Sequence, residues 1–315
     1  MTTTAPDFNR LAAFVVDADY SAIEKELATV RALADVKNAL GQSLLFVAVT
    51  ADRHRVLDIL VKRGLRLSET DKYGRSLLHW AVKFSAFSCL KYLLDPKFDN
   101  HVLLGDHSKV TPLHLAVQHK RAKILRILLN ALPEDTELYK VTDTYGRTPL
   151  HYAAHFGSLE AVVELLNDDR LAVDQRDSFQ QIPLMYAVSS NFLTSADVVR
   201  ILSQKKPMST TNTRNNLGQT AFHLAVLANN LEAISIMLQE SEGRAAAVAV
   251  SFDHRCRTPL HYAGAMGRVE AAKLLIANGA RNDTLDNYGA SAAHYAAQTC
   301  VKTLEAILNA SGSGG

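Results

Sequence analysis

Thr111-Pro112-Leu113-His114 returns as Thr148-Pro149-Leu150-His151 and as Thr258-Pro259-Leu260-His261. Weaker copies begin at Ser43, Ser76, Ile182, Thr220 and Ser291, so the spacing throughout is 33 to 38 residues. A period of that length means one supersecondary unit stacked many times, each copy burying its apolar face against its neighbours. Eight copies align on the tetrapeptide, and a degenerate ninth precedes them. The neighbours of the tetrapeptide repeat as well: Asp143-Thr-Tyr-Gly146 before it, then Ala153-Ala154, Gly157 and the apolar run Val162, Val163, Leu165 and Leu166 after it.

Each recurring residue type has a physical task. In Asp71-Lys-Tyr-Gly74 and Asp286-Asn-Tyr-Gly289 the acid can accept from backbone amides of a turn, and the glycine can take a positive φ. This predicts a hairpin finger. The threonine of Thr-Pro-Leu-His is a favourable helix N-cap, and proline suits the first helical position, where its missing N–H would have had no partner. Helices are therefore predicted to start at Pro112, Pro149 and Pro259. Leu113, Leu150 and Leu260 then enter the core, and Ala153-Ala154 and Ala296-Ala297 let neighbouring first helices approach closely. Leu90, Leu93 and Leu94, like Leu274, Leu275 and Ile276, mark the apolar face of a second helix. Gly64 and Gly279 follow such helices, where a left-handed residue ends the turn.

The pattern resembles the ankyrin repeat from Asp7 to Leu308. That resemblance implies an all-α fold, a solenoid of about nine helix-turn-helix repeats with β-hairpin fingers, curved around a concave binding groove. One continuous domain is expected over residues 7–310. Residues 1–6 read as a disordered tail, and Ser311-Gly-Ser-Gly-Gly315 reads as a flexible linker or expression scar. The last repeat keeps an apolar second-helix pattern at Leu304, Ile307 and Leu308, so the natural protein is expected to continue beyond Ala310.

The residues that could carry catalytic chemistry have simpler structural roles. Of the 12 histidines, His79, His114, His151, His223, His261 and His294 hold the fourth tetrapeptide position, where a structural hydrogen bond between repeats accounts for them. No Walker-type loop, nucleophile elbow, dinucleotide fingerprint or zinc-ligand spacing occurs. Cys256 beside His254 and Arg255 reads as a finger residue, and Trp80 as a packed aromatic. We expect no enzyme activity, no catalytic or metal-binding residues, no cofactor and no small-molecule substrate. A net charge of +2 gives no bulk attraction to nucleic acid, and no sustained Lys/Arg stripe is present to hold phosphates. Neither a secretory leader nor an apolar run of roughly 18 residues is found, so membrane insertion is not expected. Three scattered cysteines suit a reducing compartment, and a cytoplasmic location is expected.

In the ankyrin scaffold the concave face takes two fingertip residues, the residue before the threonine, and two residues late in the first helix. Across eight repeats none of these forty positions is Asp or Glu and six are Lys or Arg, whereas 32 acids in 315 residues would place about four there by chance. The face is expected to be positive and aromatic, with Lys72, Tyr73, Arg75, Lys83, Phe84, His119, Tyr145, Arg147, His155, Phe156, Phe179, Arg255 and Arg257 as partner-binding residues for an acidic, partly apolar segment. Charge reversal at Arg75 and Arg147 is expected to weaken binding without unfolding the array.

The order of irregular features narrows the resemblance. Ala51-Asp52-Arg53, Ile182-Pro183-Leu184 followed by an insertion from Asn191 to Asp197, Ser251-Phe-Asp253 leading into Arg257-Thr-Pro-Leu-His261, and His294-Tyr-Ala-Ala-Gln298 are similar to the N-terminal ankyrin domain of the inversin (nephrocystin-2) family. The resemblance implies a scaffold that assembles with a NIMA-related kinase and an ankyrin-repeat protein carrying a SAM domain. It further implies ciliary, Wnt-linked or, in invertebrate relatives, trafficking and moulting complexes at cytoskeletal or membrane-associated sites. A substrate adaptor for a ubiquitin ligase and the regulatory half of a longer enzyme are the alternatives.

Overall fold

A computed structural model describes residues 7–30, 33–98, 102–190, 192–205, 212–240 and 251–309. The expected tail at 1–6, the linker at 311–315, Ala310, and Asn191 within the insertion lie outside them. Nine helix pairs occur among the described residues. They are α1 (Phe8–Asp17) and α2 (Tyr20–Thr29), α3 (Leu44–Thr50) and α4 (His54–Lys62), α5 (Leu77–Phe84) and α6 (Phe87–Leu93), α7 (Pro112–Gln118) and α8 (Ala122–Asn130), then α9 (Pro149–His155) and α10 (Leu159–Leu166). The remaining pairs are α11 (Pro183–Val188) and α12 (Ser195–Lys205), α13 (Ala221–Leu227) and α14 (Leu231–Glu240), α15 (Pro259–Ala265) and α16 (Val269–Ala277), and α17 (Ala292–Thr299) and α18 (Val301–Asn309). The expected count of repeats and the helix starts at Pro112, Pro149 and Pro259 are both met.

Contacts divide the chain into two compact units, Met1–Thr136 with Val141–Thr144, and Glu137–Lys140 with Tyr145–Gly315. Within the first, inner helices α3, α5 and α7 pack in sequence and α4 lies against α6. Within the second, α9, α11, α13, α15 and α17 form the inner row, and α10, α12, α14, α16 and α18 the outer one. Leu113, Leu150, Leu260 and the Ala153-Ala154 pair are fully buried, as their positions require. Close approach is tightest at Gly264 of α15, where a Cβ would stand 2.4 Å from the Ala292 carbonyl oxygen of α17.

The tetrapeptide histidine is the mortar between copies. At Ser76 and His79 the backbone N–H of Ser76 donates to Nδ1 at 3.0 Å, so that nitrogen is the acceptor and the ring's proton sits on Nε2. Nε2 then reaches the Val110 carbonyl of the next finger at 2.8 Å. The same two-sided clasp joins His151 to Gln181, His223 to Arg257 and His261 to Ala290. Burial lowers the affinity of the His79, His223 and His261 rings for a second proton, and His223 is held down to about 4. A neutral ring is what the geometry needs, because a protonated Nδ1 could no longer accept.

The fingers differ from the expected hairpins. Among the described residues no strand forms; single bridges join Thr70 to Ser76 and Leu285 to Ser291. The helix N-cap begins at the bridging serine itself, which leaves no residues for a ladder. The turn is instead held from inside. Asp71 Oδ1 accepts from the amides of Tyr73 and Arg75 at 2.9 and 3.0 Å, and Gly74 closes it at φ 77°.

A cationic aromatic finger face as candidate functional site

Fingers within each unit are laced by their tips. The first tip residue donates its N–H back to the second tip residue of the preceding finger: Lys72 to Leu40 and His107 to Tyr73 in the first unit; Ser178 to Tyr145, Asn216 to Phe179, His254 to Leu217 and Asn287 to Arg255 in the second. The lacing fixes backbone on the inside of the row and leaves the second tip side chains in file on the outside. In the first unit Tyr73 is 49% exposed; in the second, Tyr145 is 52%, Phe179 51% and Leu217 63% exposed, side by side. Large apolar side chains presented in a row at such exposure are the feature that asks for a partner.

Behind the tips lies a layer that the sequence reading placed only in part. In the first unit the Arg75 guanidinium meets Asp71 at 2.7 Å and lies over the rings of Tyr73 and Trp80, 4.8 and 5.1 Å from their centroids. Trp80 donates Nε1–H to Asp71 at 3.2 Å and stacks on Phe84 with centroids 5.3 Å apart. Lys83 caps that stack, 5.3 Å from Trp80 and 5.5 Å from Phe84. Lys72, Tyr73, Arg75, Lys83 and Phe84 are thus one surface, with Trp80 as the residue the sequence reading left out. Burial alone would raise the Asp71 carboxyl, but the amides of Arg75 and Tyr73 and the guanidinium outweigh it and hold it below the usual range. His119 lies within the field of Arg121 and Lys83; burial first, then those cations, lowers its pKa.

In the second unit Arg147 lies 5.0 Å from the centroids of both Tyr145 and Tyr152, and Tyr145 stacks on Phe179 with centroids 6.2 Å apart. His155 packs on Phe156 and on Tyr186, and Phe156 reaches Phe192 of the insertion. Arg257 forms a separate group on a later finger: it meets Asp253 at 2.9 Å and covers Tyr262 at 4.7 Å, while Arg255 stands exposed at the tip. Sequence signal for this layer existed. An aromatic stands nine residues after the finger aspartate in each of Asp71–Trp80, Asp177–Tyr186, Asp253–Tyr262 and Asp286–Tyr295, and each donates to that aspartate.

Arg75 and Arg257 therefore serve their own fingers as well as any ligand. Replacing Arg75 by Glu would set a second carboxylate against an Asp71 side chain with no exposed surface. Lys72 and the tip aromatics are the cleaner probes. Cys256 is a finger residue, in the left-handed position at φ 58° that glycine holds in other fingers. Cys89 is buried, and burial together with Asp52 pushes its thiol up to about 12. No group of three or more His, Cys, Asp and Glu suited to a metal ion occurs among the described residues, and no described helix is long and apolar enough to cross a membrane.

Residues 16–103, 100–177, 157–247 and 245–313 match the family described as ankyrin repeats (3 copies). The chain belongs to the ankyrin-repeat family. Its array is similar to inversin of Canis lupus familiaris, 29% identical over 227 residues, which cover 71% of this chain and 20% of that protein. Human inversin is 28% identical over 227 residues. The chain thus spans about one fifth of the length of these relatives. The probable 26S proteasome regulatory subunit p28 of Saccharomyces cerevisiae is 29% identical over 251 residues, covering 79% of this chain and 90% of that protein. Among solved structures, the ankyrin repeat domain of Bcl-3 superposes with a TM-score of 0.62 at 19% identity, covering 76% of this chain and all of that one, a likeness of fold. An ankyrin array of this kind is a protein-interaction scaffold.

Proposed function

We propose that this ankyrin array is a non-enzymatic scaffold that holds an acidic, partly apolar segment of a protein partner on its finger face. The partner is a NIMA-related kinase or an ankyrin–SAM protein, brought together in a ciliary or trafficking complex. The observation that carries the reading is the file of exposed tip side chains, Tyr145, Phe179 and Leu217, laced side by side and backed by Arg147. Aromatic side chains give contact area at little entropy cost, and the cations would orient an acidic segment during encounter. The kinase and SAM-protein assignment rests on likeness to inversin. The test is binding of each purified candidate to the wild-type array and to Tyr145→Ala/Phe179→Ala, with circular dichroism to verify the fold. A loss of about 30-fold or more in affinity is expected for the double variant. Equal affinity would move the site, and no binding of either candidate by the wild type would end the partner assignment.

A second reading rests on the yeast relative, of which 90% is covered. It makes the chain a subunit of a proteolytic assembly, and cosedimentation with purified proteasome regulatory particles tests it.

A further inference from the structure

The turns between inner and outer helices lie on the edge opposite the fingers, and in the first unit two of them are basic, with Lys83 in the last turn of α5 between them. They carry Arg53, His54 and Arg55, then Lys83, then His119, Lys120, Arg121 and Lys123, all exposed. Hydrogen bonds join the first two turns, and the third lies within electrostatic reach of Lys83. Asp52 in one turn accepts the amides of Ser88 and Cys89 at the start of α6 in the next, and Lys83 and Arg121 both act on His119. Asp52 is the carboxylate on this stretch, and both its oxygens are taken by those amides. The positive stretch starts at Arg53; the turn before it carries Asp17 and Asp19.

These cations stand where helix electrostatics disfavours them. Arg55 and Lys123 are the second residues of α4 and α8, whose first turns contain no acid, although the positive end of the helix dipole lies there. In the second unit the same position is Glu160, Glu232 and Glu270 in α10, α14 and α16, Ala196 in α12 and Lys302 in α18. Two exposed aromatics, Phe84 and Phe87, flank the middle turn. The edge is strung along successive helix pairs of the first unit.

From this juxtaposition we infer that the helix-turn edge of the first unit is a peripheral docking surface for an anionic membrane, with the Lys and Arg side chains at the headgroups and Phe87 dipping into the interface. Charge complementarity selects the occupant. Each Lys or Arg near an anionic leaflet strengthens attachment, and an exposed aromatic beside the cations adds apolar burial that a soluble polyanion would not use. This surface meets the finger face at Lys83, Phe84 and His119, and its test substitutes none of the finger-face residues.

The experiment is vesicle cosedimentation of the purified chain with phosphatidylcholine alone and with phosphatidylcholine containing phosphatidylserine, at low and at high salt. Binding is expected to the anionic vesicles, with loss at high salt. Neutralising Arg55→Gln/Arg121→Gln/Lys123→Gln should lower partitioning on the order of 100-fold. Lys62→Gln/Lys97→Gln/Lys273→Gln, with the same change in net charge elsewhere, should keep most of it. Phe87→Ser should weaken vesicle binding while leaving binding to soluble inositol hexakisphosphate unchanged, and circular dichroism checks each fold. No preference for anionic vesicles overturns the proposal. So does equal loss from the two triple variants, and so does vesicle binding indifferent to Phe87→Ser.

Discussion

The inter-helix turns of the two units perform one backbone task with opposite chemistry. Most of these turns hold a residue at positive φ; the α17–α18 turn, through extended Cys300, does not. The first unit places Asp52, Ser85 and Lys120 there, and the second uses Gly157 and Gly267, with Asn229 between. The next residues differ in charge as well, basic after Asp52 and Lys120 in the first unit and acidic at Glu160, Glu232 and Glu270 in the second. The α10, α14 and α16 turns of the second unit thus follow local preference, with Gly or Asn where φ is positive and acid at the helix start, whereas α18 carries Lys302 there. The first departs from it twice, and departures that local energetics does not repay are where a surface is shaped by something outside the chain.

The largest contrast between units should come from acid. Burial holds His223 down to about 4, against about 6.5 in an unfolded chain, and lowers His261 in the same unit. The unfolded state then binds more protons between those values. Stability is fully present above about pH 6.5 and is lost as pH falls towards 4, by about 3 kcal/mol for His223 alone. His79 is lowered in the first unit too, with the same sign. Trp80 is the only tryptophan and lies in the first unit, so its fluorescence reports that unit while far-ultraviolet circular dichroism reports both. In urea titrations at falling pH, the dichroism transition should move ahead of the fluorescence transition. Coincident transitions at every pH would remove the contrast, and no acid shift at all would remove the neutral-histidine clasp.

Next in size is the exchange of turn residues. Gly157→Ala puts a Cβ at φ 58° and 2.8 Å from the Phe192 Cβ, so it should cost about 2 kcal/mol. Ser85→Ala at φ 56° adds nothing to the backbone and removes a buried hydroxyl that lacks a hydrogen-bond partner, so a change below about 0.5 kcal/mol is expected. Chemical denaturation of the two variants checks the pair. Equal costs would mean that the turns are built alike despite their residues.

What the sequence shows and what it hides follow from the range of each interaction. Helix starts, the clasp of His79, and finger closure by Asp71 and Gly74 were legible because each is set within four residues or repeats with the period. The layer of Arg75, Trp80 and Phe84 was legible only as scattered types, because its contacts join finger to inner helix nine residues away. The basic edge was hidden further. Arg55, Lys83 and Lys123 lie in different repeats, and a net charge of +2 averages them against acids that the fold sends elsewhere. The oxygens of Asp52 accept from amides at the start of a helix one repeat on, a contact no local pattern announces.

The smallest expected effect is the most discriminating. Lys123 and Glu232 occupy the same helical position in α8 and α14, one against the dipole and one with it. Lys123→Glu should therefore stabilise the fold by about 0.5 kcal/mol at low ionic strength, and Glu232→Lys should destabilise it by a similar amount. Both differences should shrink as salt rises. If Lys123→Glu stabilises the array while reducing attachment to anionic vesicles, the lysine is held against the interest of the helix and for the interest of a ligand. If it destabilises instead, Lys123 serves the fold, and the basic edge is a consequence of packing within the first unit.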